Sequence, residues 1–382
     1  MIKPLEGILV LDFSQFLSGP SASLRLADLG AEVIKIEKPV VGDICRSLYV
    51  SDVKVAGEST IFHSINRNKK SYLADLKEEY DLAKIKQLVQ QADIFMHNFR
   101  PGVMERLGLS YDEVIKINPS IIYAELSGYG KNGSWKGRPG QDLLLQAVSG
   151  VTYLTGNQND APTAMGVAAA DILAGTQLTQ GILAALFQKG TNGKGAKIQI
   201  SMLESLLDFQ FEVLTCFYND GNHLPQRSAV NSAHAYIAAP YGIYQTTNGF
   251  IALAMGNILQ LGELLNCKPL LEKTDPKEWF NERDTIKLIL KGLLKSQTTQ
   301  YWLNILEPAD IWCAEVLNYE QLVQHEGYKV LQMEQEVINS AGYKLRTTRC
   351  PIRIDNQLLS SDIGAPLLGE HTTEINNRFD LK

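Results

Sequence analysis

The feature that most constrains the fold is a serial alternation of short apolar runs with amphipathic stretches. Residues 8–13 are almost continuously apolar, as in a strand that is covered on both faces. A helical pattern over 20–29 ends at Gly30, and a second strand pattern follows over 31–37. This order predicts two parallel strands that are joined by a crossover helix with a right-handed connection.

The alternation continues along the chain, with further strand patterns over 71–76, 94–97, 121–125 and 196–200. It predicts an α/β fold with a large domain built on a Rossmann-like, open, mostly parallel sheet. Ligands bind such sheets beyond the carboxyl ends of the strands. The first turn contains Gly19 but no GxGxxG, so we do not expect an NAD-type site.

The later part of the chain has a different order of elements. From residue 235 onward, strand patterns precede helical ones. Asn248-Gly249 separates two strand patterns and is a strong hairpin signal. Helical patterns follow over 258–306. This order predicts a smaller α+β domain.

Composition and charge exclude several classes of function. The net charge is −6, without the clustered cations that nucleic-acid binding needs. No apolar run approaches the ~18 residues of a membrane span, and no signal peptide is evident, so we expect a cytoplasmic protein. The five cysteines and six histidines lack metal-ligand spacing. We therefore expect neither a metal nor a disulfide framework.

Residues 166–175 contain one carboxylate, Asp171, among small residues at the start of a helical pattern that ends at Gly190. The positive end of a helix dipole favours a negative charge there, and the small neighbours leave room for a bulky ligand. Two interpretations are open on these residues. Asp171 is either a helix-capping aspartate or a partly desolvated carboxylate nucleophile.

Several short motifs occur in order over most of residues 1–205. They are residues 10–13, Gly19-Pro20, and residues 29–37, 68–71, 98–102, 106–108, 127–130, 146–150 and 193–195. No single piece is specific, but the ordered set resembles the class III CoA-transferase family. This family includes formyl-CoA transferase, carnitine CoA-transferases and acyl-CoA racemases.

The resemblance implies that Asp171 is the catalytic aspartate. Its carboxylate would attack an acyl-CoA to give a mixed anhydride, which the CoA thiolate would convert to an aspartyl-CoA thioester. A carboxylic acid acceptor would then reverse these steps. The chemistry requires no metal and no prosthetic group, because coenzyme A enters as part of the substrate. Two alternatives are an acyl-CoA racemase or isomerase on the same scaffold and a non-catalytic acyl-CoA-binding protein.

The resemblance also implies a set of coenzyme A contacts, an assembly and a domain arrangement. The contacts are Leu17, Ser18, Lys38, Ala74, Asp75, Leu76, Lys77, Asn98, Phe99, Arg100, Arg106 and Leu107. The assembly is an interlocked homodimer. Residues 1–205 and 330–382 would form the large CoA-binding domain, 225–315 the small domain, and 206–224 and 316–329 the linkers.

The sequence departs from two branches of the family. Gln141 precedes Asp142 where the racemases have a histidine, and glutamine cannot exchange an α-proton. Leu17 lies where formyl-CoA transferase has a glutamine, and Met255-Gly256-Asn257 replaces its run of glycines. These residues favour transfer over racemisation, and they do not support the formyl/oxalate substrate pair or a mobile glycine flap.

Overall fold

The computed structural model describes residues 3–48 and 53–382. The chain forms two compact units. The first contains the described residues up to Leu145, together with Ala168–Leu206 and Val330–Lys382, and the second contains Gln146–Val167 and Leu207–Lys329. Residues 146–167, which the sequence analysis places in the large domain, thus belong to the second unit. The predicted domain boundaries themselves stay a prediction.

The strands are short and are numbered here in chain order. They are β1 (Leu9–Asp12), β2 (Glu32–Glu37), β3 (Lys54–Val55), β4 (Glu58–Ser59), β5 (Lys70–Leu73), β6 (Ile94–His97), β7 (Ile122–Ser127), β8 (Ala196–Ser201), β9 (Gly242–Gln245), β10 (Phe250–Leu253), β11 (Cys313–Glu315), β12 (Glu334–Ile338), β13 (Lys344–Thr348), β14 (Arg353–Ile354) and β15 (Gln357–Leu358).

The helices are numbered in the same way. They are α1 (Ser18–Asp28), α2 (Thr60–Ile65), α3 (Glu79–Gln91), α4 (Val103–Arg106), α5 (Tyr111–Ile117), α6 (Asp142–Ser149), α7 (Ala169–Asn192), α8 (Met202–Phe209), α9 (Phe211–Asn219), α10 (Ile258–Leu264), α11 (Lys268–Leu271), α12 (Arg283–Leu294), α13 (Thr299–Leu306), α14 (Tyr319–Gln324), α15 (Glu326–Lys329) and α16 (Thr372–Arg378). Among the described residues, no helix combines the length and the apolar character needed to cross a bilayer.

The first unit is built on a six-stranded sheet with the order β5-β2-β1-β6-β7-β8. Every neighbouring pair in it is parallel. Leu11 in β1, for example, lies opposite Ile34 in β2 and Phe95 in β6. Strands β2 and β5 lie on one side of β1, and β6, β7 and β8 lie on the other, so the strand order reverses between β1 and β6. Parallel sheets usually bind ligands at such a switch point. The prediction of an α/β fold with a mostly parallel sheet is confirmed.

The core of this unit explains why these strands are apolar on both faces. All four residues of β1 are buried. Phe95 stacks between Phe13 and Tyr123, with ring centroids 4.4 and 4.9 Å away. Helices α3, α5 and α16 pack on this cluster through Leu88, Val114 and Ile375. Full burial of each such side chain contributes about 1.5–3 kcal/mol, which fixes the sheet and its carboxyl edge.

Helix α1 begins two residues before its predicted start, at Ser18 rather than residue 20. The first four N–H groups of a helix have no partner within it, so Pro20 is tolerated as the third residue as well as the first. Helix α7 approaches α1 closely at Gly175. A Cβ added to Gly175 would lie 2.2 Å from Ser21 Oγ and 2.6 Å from the Ser18 carbonyl oxygen. This position therefore requires glycine.

The second unit has a three-stranded antiparallel sheet with the order β11-β10-β9. The predicted hairpin at Asn248-Gly249 is confirmed, since β9 and β10 pair on either side of it. Helices α10–α13 occupy the predicted helical region and cover Tyr244 and Ile251 of this sheet. The resulting α+β arrangement agrees with the sequence pattern.

Candidate active site

Asp171 is the third residue of α7, so its predicted position in the first turn is confirmed. The residue before the helix, Ala168, offers no side-chain cap. Instead Asp142, 29 residues before Asp171, accepts hydrogen bonds through Oδ1 from the N–H groups of Ala170 and Asp171, at 2.7 and 3.3 Å. The capping interpretation of Asp171 is therefore wrong, because Asp142 caps the helix.

The carboxylate of Asp171 faces the start of α1. Ser18, the first residue of α1, is close enough to influence the pKa of this carboxylate. Asp171 and Gly175 are one helical turn apart and lie on the same face of α7, so the close approach at Gly175 brings Asp171 to Ser18. The carboxylate thus lies at the positive ends of two helices.

The surroundings raise the pKa of Asp171 from 3.8 to about 6. Burial is the main cause because it disfavours the charged form, and the negative charge of Asp142 is the second. The nearby polar groups of Ser18 act in the opposite direction. A carboxylate of this pKa is still mostly ionised at neutral pH, yet it is more basic than an ordinary aspartate. It is well suited to nucleophilic attack.

Two residues of the turn between β1 and α1, Ser14 and Phe16, are held by a buried ion pair. Lys35 Nζ donates to the Ser14 carbonyl at 2.8 Å and pairs with Asp43 Oδ2 at 2.7 Å. Asp43 Oδ1 accepts from the Phe16 N–H at 3.2 Å. Phe16 has φ +63°, a conformation that a bulky residue rarely adopts without such support. The turn that leads to Ser18 is therefore pre-organised.

Asn98 holds the same turn from the neighbouring strand β6. Its Oδ1 accepts from the Gln15 N–H at 2.8 Å, and its Nδ2 donates to the Gln15 carbonyl at 2.7 Å. Nδ2 also lies 3.5 Å from Ser18 Oγ. Asn98 was predicted as a coenzyme A contact. The structure shows that its side chain binds the protein backbone.

A buried charged cluster supports the first turn of α1. Lys69 Nζ donates to the Pro20 carbonyl at 3.0 Å, to Ser23 Oγ at 2.7 Å and to Asn66 Oδ1 at 2.8 Å. Burial lowers the pKa of Lys69 to about 7. Burial alone would raise the pKa of Asp12, but Lys69 and Lys35 hold it below its usual value. The cluster fixes α1 against the end of β1.

The predicted coenzyme A contacts follow the ends of four neighbouring strands. Leu17 and Ser18 follow β1, Lys38 follows β2, residues 74–77 follow β5, and residues 98–100 follow β6. These strands are consecutive in the sheet and parallel, so their carboxyl ends share one edge. Arg106 and Leu107 come next along the chain, at the end of α4. Their contacts with coenzyme A stay a prediction.

Four cations of the predicted set, Lys38, Lys77, Arg100 and Arg106, are exposed. Within residues 3–48 and 53–382 the ion pairs involve other side chains, so these four remain accessible to an anion. Ala74 is a core residue instead, and Leu76, Phe99 and Leu107 are partly buried against the same core. The Asp75 carboxylate accepts from the Lys77 N–H at 3.1 Å.

A cavity of about 120 Å³ lies at the ends of β6 and β7. Phe99 and Arg100 line it, together with Tyr111, Lys131 and Lys197, among others. Asp171 is not among its lining residues. The cavity therefore adjoins the predicted coenzyme A contacts but not the candidate nucleophile.

Comparison with known proteins identifies the family of this chain. Residues 5–372 match CoA-transferase family III. The chain belongs to this family. It is a CoA-transferase family III enzyme, which confirms the family inferred from the ordered motifs.

Individual members of family III match nearly the whole chain. Human succinyl-CoA:glutarate CoA-transferase is 34% identical over 391 residues, covering 98% of this chain and 85% of that protein. The Acetobacter aceti acetyl-CoA:oxalate CoA-transferase is 35% identical over 319 residues, covering 81% of this chain and 79% of its own length. A crystal structure of a CAIB/BAIF family protein from Brucella suis superposes with a TM-score of 0.84 at 27% identity, over 100% of both chains.

Two features of this site were not predicted from the sequence. Asp142 was seen as the start of its own helix, whereas it also caps α7 from 29 residues away. Gly175 was seen as one of several small residues, whereas it sets the distance between α1 and α7. Aspartate is a favoured capping residue, so Asp142 was a signal for the capping interaction. Local spacing could not show that α7 is the helix it caps.

Proposed function

We propose that the enzyme moves CoA between an acyl-CoA and a carboxylic acid through covalent intermediates on Asp171. One observation carries the proposal. The Asp171 carboxylate is partly buried in the first turn of α7 and has a pKa raised to about 6. Its own helix is capped by Asp142, so capping does not explain why an aspartate occupies position 171.

The reaction balances without a redox partner. An oxygen of Asp171 attacks the thioester carbonyl, forms a C–O bond and expels the CoA thiolate, which leaves a mixed anhydride. The thiolate attacks the Asp171 carbonyl carbon and releases the donor acid as a carboxylate. The acceptor carboxylate attacks the resulting aspartyl-CoA thioester, and the returning thiolate takes the new acyl group. Asp171 is regenerated as a carboxylate.

We place coenzyme A along the shared edge of β5, β2, β1 and β6. Its phosphates need cations, and Lys38, Lys77, Arg100 and Arg106 are exposed there. The partly buried Phe99 and Leu107 supply apolar surface near these cations. Asn98 contributes by shaping the first turn, since its side chain is already bonded to Gln15.

The substrates are proposed from the relatives. The human relative is named for succinyl-CoA and glutarate, and the Acetobacter aceti relative for acetyl-CoA and oxalate. Both names contain a dicarboxylate as the free acid. We therefore propose a short dicarboxylate as the acceptor, and we would begin with succinyl-CoA and acetyl-CoA against glutarate, oxalate and acetate.

We also propose that the enzyme is an interlocked homodimer. Helix α9 is largely apolar, yet it contains no buried residue, and Phe211 and Tyr218 are 68% and 65% exposed. On α7, Phe187 is 80% exposed. Exposed apolar surface on this scale is characteristic of association surfaces. Light scattering coupled to gel filtration should give twice the mass of one chain, and a monomer at micromolar concentration would contradict the proposal.

The test of the mechanism is Asp171→Asn, which keeps the size of the side chain but removes the nucleophilic carboxylate. Transfer should fall below detection, and the wild-type peptide containing Asp171 should gain the mass of CoA after incubation with acyl-CoA. The matched control is Glu320→Gln, the same change in the first turn of α14, where the side chain is exposed. Transfer retained by Asp171→Asn would end the proposal. Deuterium exchange at the α-carbon without an acceptor acid would favour the isomerase instead.

A further inference from the structure

Phe16 combines an unfavourable backbone conformation with an exposed aromatic ring. Its φ is +63°, in the left-handed region that glycine adopts without cost and in which a bulky residue is an outlier. The residue is nevertheless 45% exposed, so packing against the protein offsets only part of the cost of that conformation. Such outliers persist where the surrounding structure enforces them, and they cluster at functional sites.

Buried side chains enforce the backbone conformation of Phe16. The Asn98 amide binds both backbone groups of Gln15, the residue before Phe16, at 2.8 and 2.7 Å. Asp43 Oδ1 accepts from the Phe16 N–H at 3.2 Å, and Asp43 is itself held by Lys35 at 2.7 Å. Asp43 and Lys35 are both fully or almost fully buried. The direction in which the side chain of Phe16 leaves the backbone is therefore fixed before any substrate binds.

The turn that contains Phe16 lies between the proposed phosphate contacts and the candidate nucleophile. Phe16 follows β1, and Lys38 follows the neighbouring strand β2. Two residues after Phe16, the Ser18 carbonyl oxygen would lie 2.6 Å from a Cβ added to Gly175, so α1 and α7 are in contact there. Asp171 is one turn earlier on the same face of α7. A ligand whose phosphates lie at Lys38 and whose thioester reaches Asp171 therefore passes this turn.

We propose that the Phe16 ring packs on the pantetheine arm of coenzyme A, the flexible chain that joins the phosphates to the thioester. The inference rests on the proposed placement of coenzyme A, and it adds a contact beyond the residues that the resemblance implies. The methyl and methylene groups of the arm match the apolar surface of an aromatic ring. Because every acyl-CoA has this arm, the contact serves all donors alike.

The exposed part of Phe16 sets the size of the expected effect. Full burial of a phenylalanine side chain changes an equilibrium constant by a factor of about 10–150. Covering the exposed 45% of Phe16 should therefore increase the affinity for CoA about three- to tenfold. The arm is bound in the ground state and in the transition state, so loss of the ring should raise the KM for acyl-CoA by the same factor and leave kcat largely unchanged.

Isothermal titration calorimetry of Phe16→Ala with two ligands tests the contact. The ligands are CoA and adenosine 3′,5′-bisphosphate, which is the part of CoA that lacks the pantetheine arm. The Kd for CoA should rise about three- to tenfold, whereas the Kd for the bisphosphate should stay at its wild-type value. The matched control is Phe250→Ala, the same change on β10 at a residue that is 48% exposed, and both of its Kd values should equal those of the wild type.

A second variant, Phe16→Gly, separates the ring from the backbone conformation. Glycine accepts a positive φ, so this variant should unfold at a higher Tm than Phe16→Ala. It should nevertheless bind CoA as weakly as Phe16→Ala does, because both variants lack the ring. Wild-type affinity for CoA in Phe16→Gly would overturn the inference, since the backbone alone would then account for binding.

The outcomes distinguish this inference from the proposed mechanism. If Phe16→Ala binds CoA as tightly as Phe250→Ala does, the role of Phe16 is overturned. Equal losses of affinity for CoA and for the bisphosphate would also overturn it, because the ring would then act on the shape of the site rather than on the pantetheine arm. Transfer retained by Asp171→Asn would overturn the covalent mechanism, but it would change neither Kd of the Phe16 variants.

Discussion

The charge of Asp142 beside Asp171 leads to a prediction about pH dependence. Asp142→Asn removes that charge but keeps an Oδ1 that can accept from the N–H groups of Ala170 and Asp171. Because the charge is the second cause of the raised pKa of Asp171, after burial, that pKa should fall from about 6 towards 3.8. We expect a fall of about one pH unit, as is usual for loss of a neighbouring like charge.

The direction in which the pH profile moves follows from the protonation state of Asp171 that reacts. The ionised carboxylate is the nucleophile, so a lower pKa keeps Asp171 reactive at lower pH. The acid limb of the kcat/KM profile should therefore move to lower pH by about one unit. Above pH 7 the weaker basicity should reduce the rate by less than about tenfold, since one pKa unit corresponds to about 1.4 kcal/mol.

Two measurements separate this electrostatic effect from a loss of stability. Asparagine caps helices about as well as aspartate, so Asp142→Asn should cost only the interaction with the helix dipole, about 0.3–1 kcal/mol. Asp142→Ala removes the cap and should cost about 0.5–2 kcal/mol. A profile of Asp142→Asn that is unmoved, or displaced to higher pH, in a protein of near wild-type Tm would refute the reasoning.

Two further predictions concern close packing and charge. Gly175→Ala should destabilise the protein by about 1–3 kcal/mol, as overpacking usually does, and should lower kcat by displacing Asp171, one turn earlier on the same face of α7. Its control on the same helix, Gly190→Ala, has nothing within 4 Å of the added Cβ and should be neutral or stabilising in thermal unfolding; equal Tm values in the two variants would contradict the packing argument. Lys38→Ala should raise the Kd for CoA about two- to fivefold at low salt, with less effect at high salt, as for an exposed ionic contact. Isothermal titration calorimetry of CoA binding, with Lys291→Ala as the control variant, checks this. Equal affinities of the two variants for CoA would exclude Lys38 from the binding surface.

The sheet was predictable because its strands are buried on both faces. Residues 8–13 and 94–97 are too apolar to lie at the surface, and they contain β1 and β6 as expected. Asp171 could be placed in a first turn because helix starts have local signals. Such features depend on neighbours in the sequence.

Features that depend on distant neighbours were not predictable. Nothing local to Asp142 shows that it accepts from backbone groups 28 and 29 residues later. The close approach of α1 and α7 at Gly175 likewise joins residues that are far apart in the sequence. An ordered set of motifs carries no information on which side-chain atoms meet.

The exposed apolar surface of α9 has a consequence for when this helix becomes ordered. A helix of nine residues is too short to persist in water on its own propensity, and α9 has no buried side chain within one chain to support it. If a second copy covers it, α9 becomes ordered only on association. Its amide hydrogens should then exchange faster on dilution, while those of β1 keep their protection at every concentration.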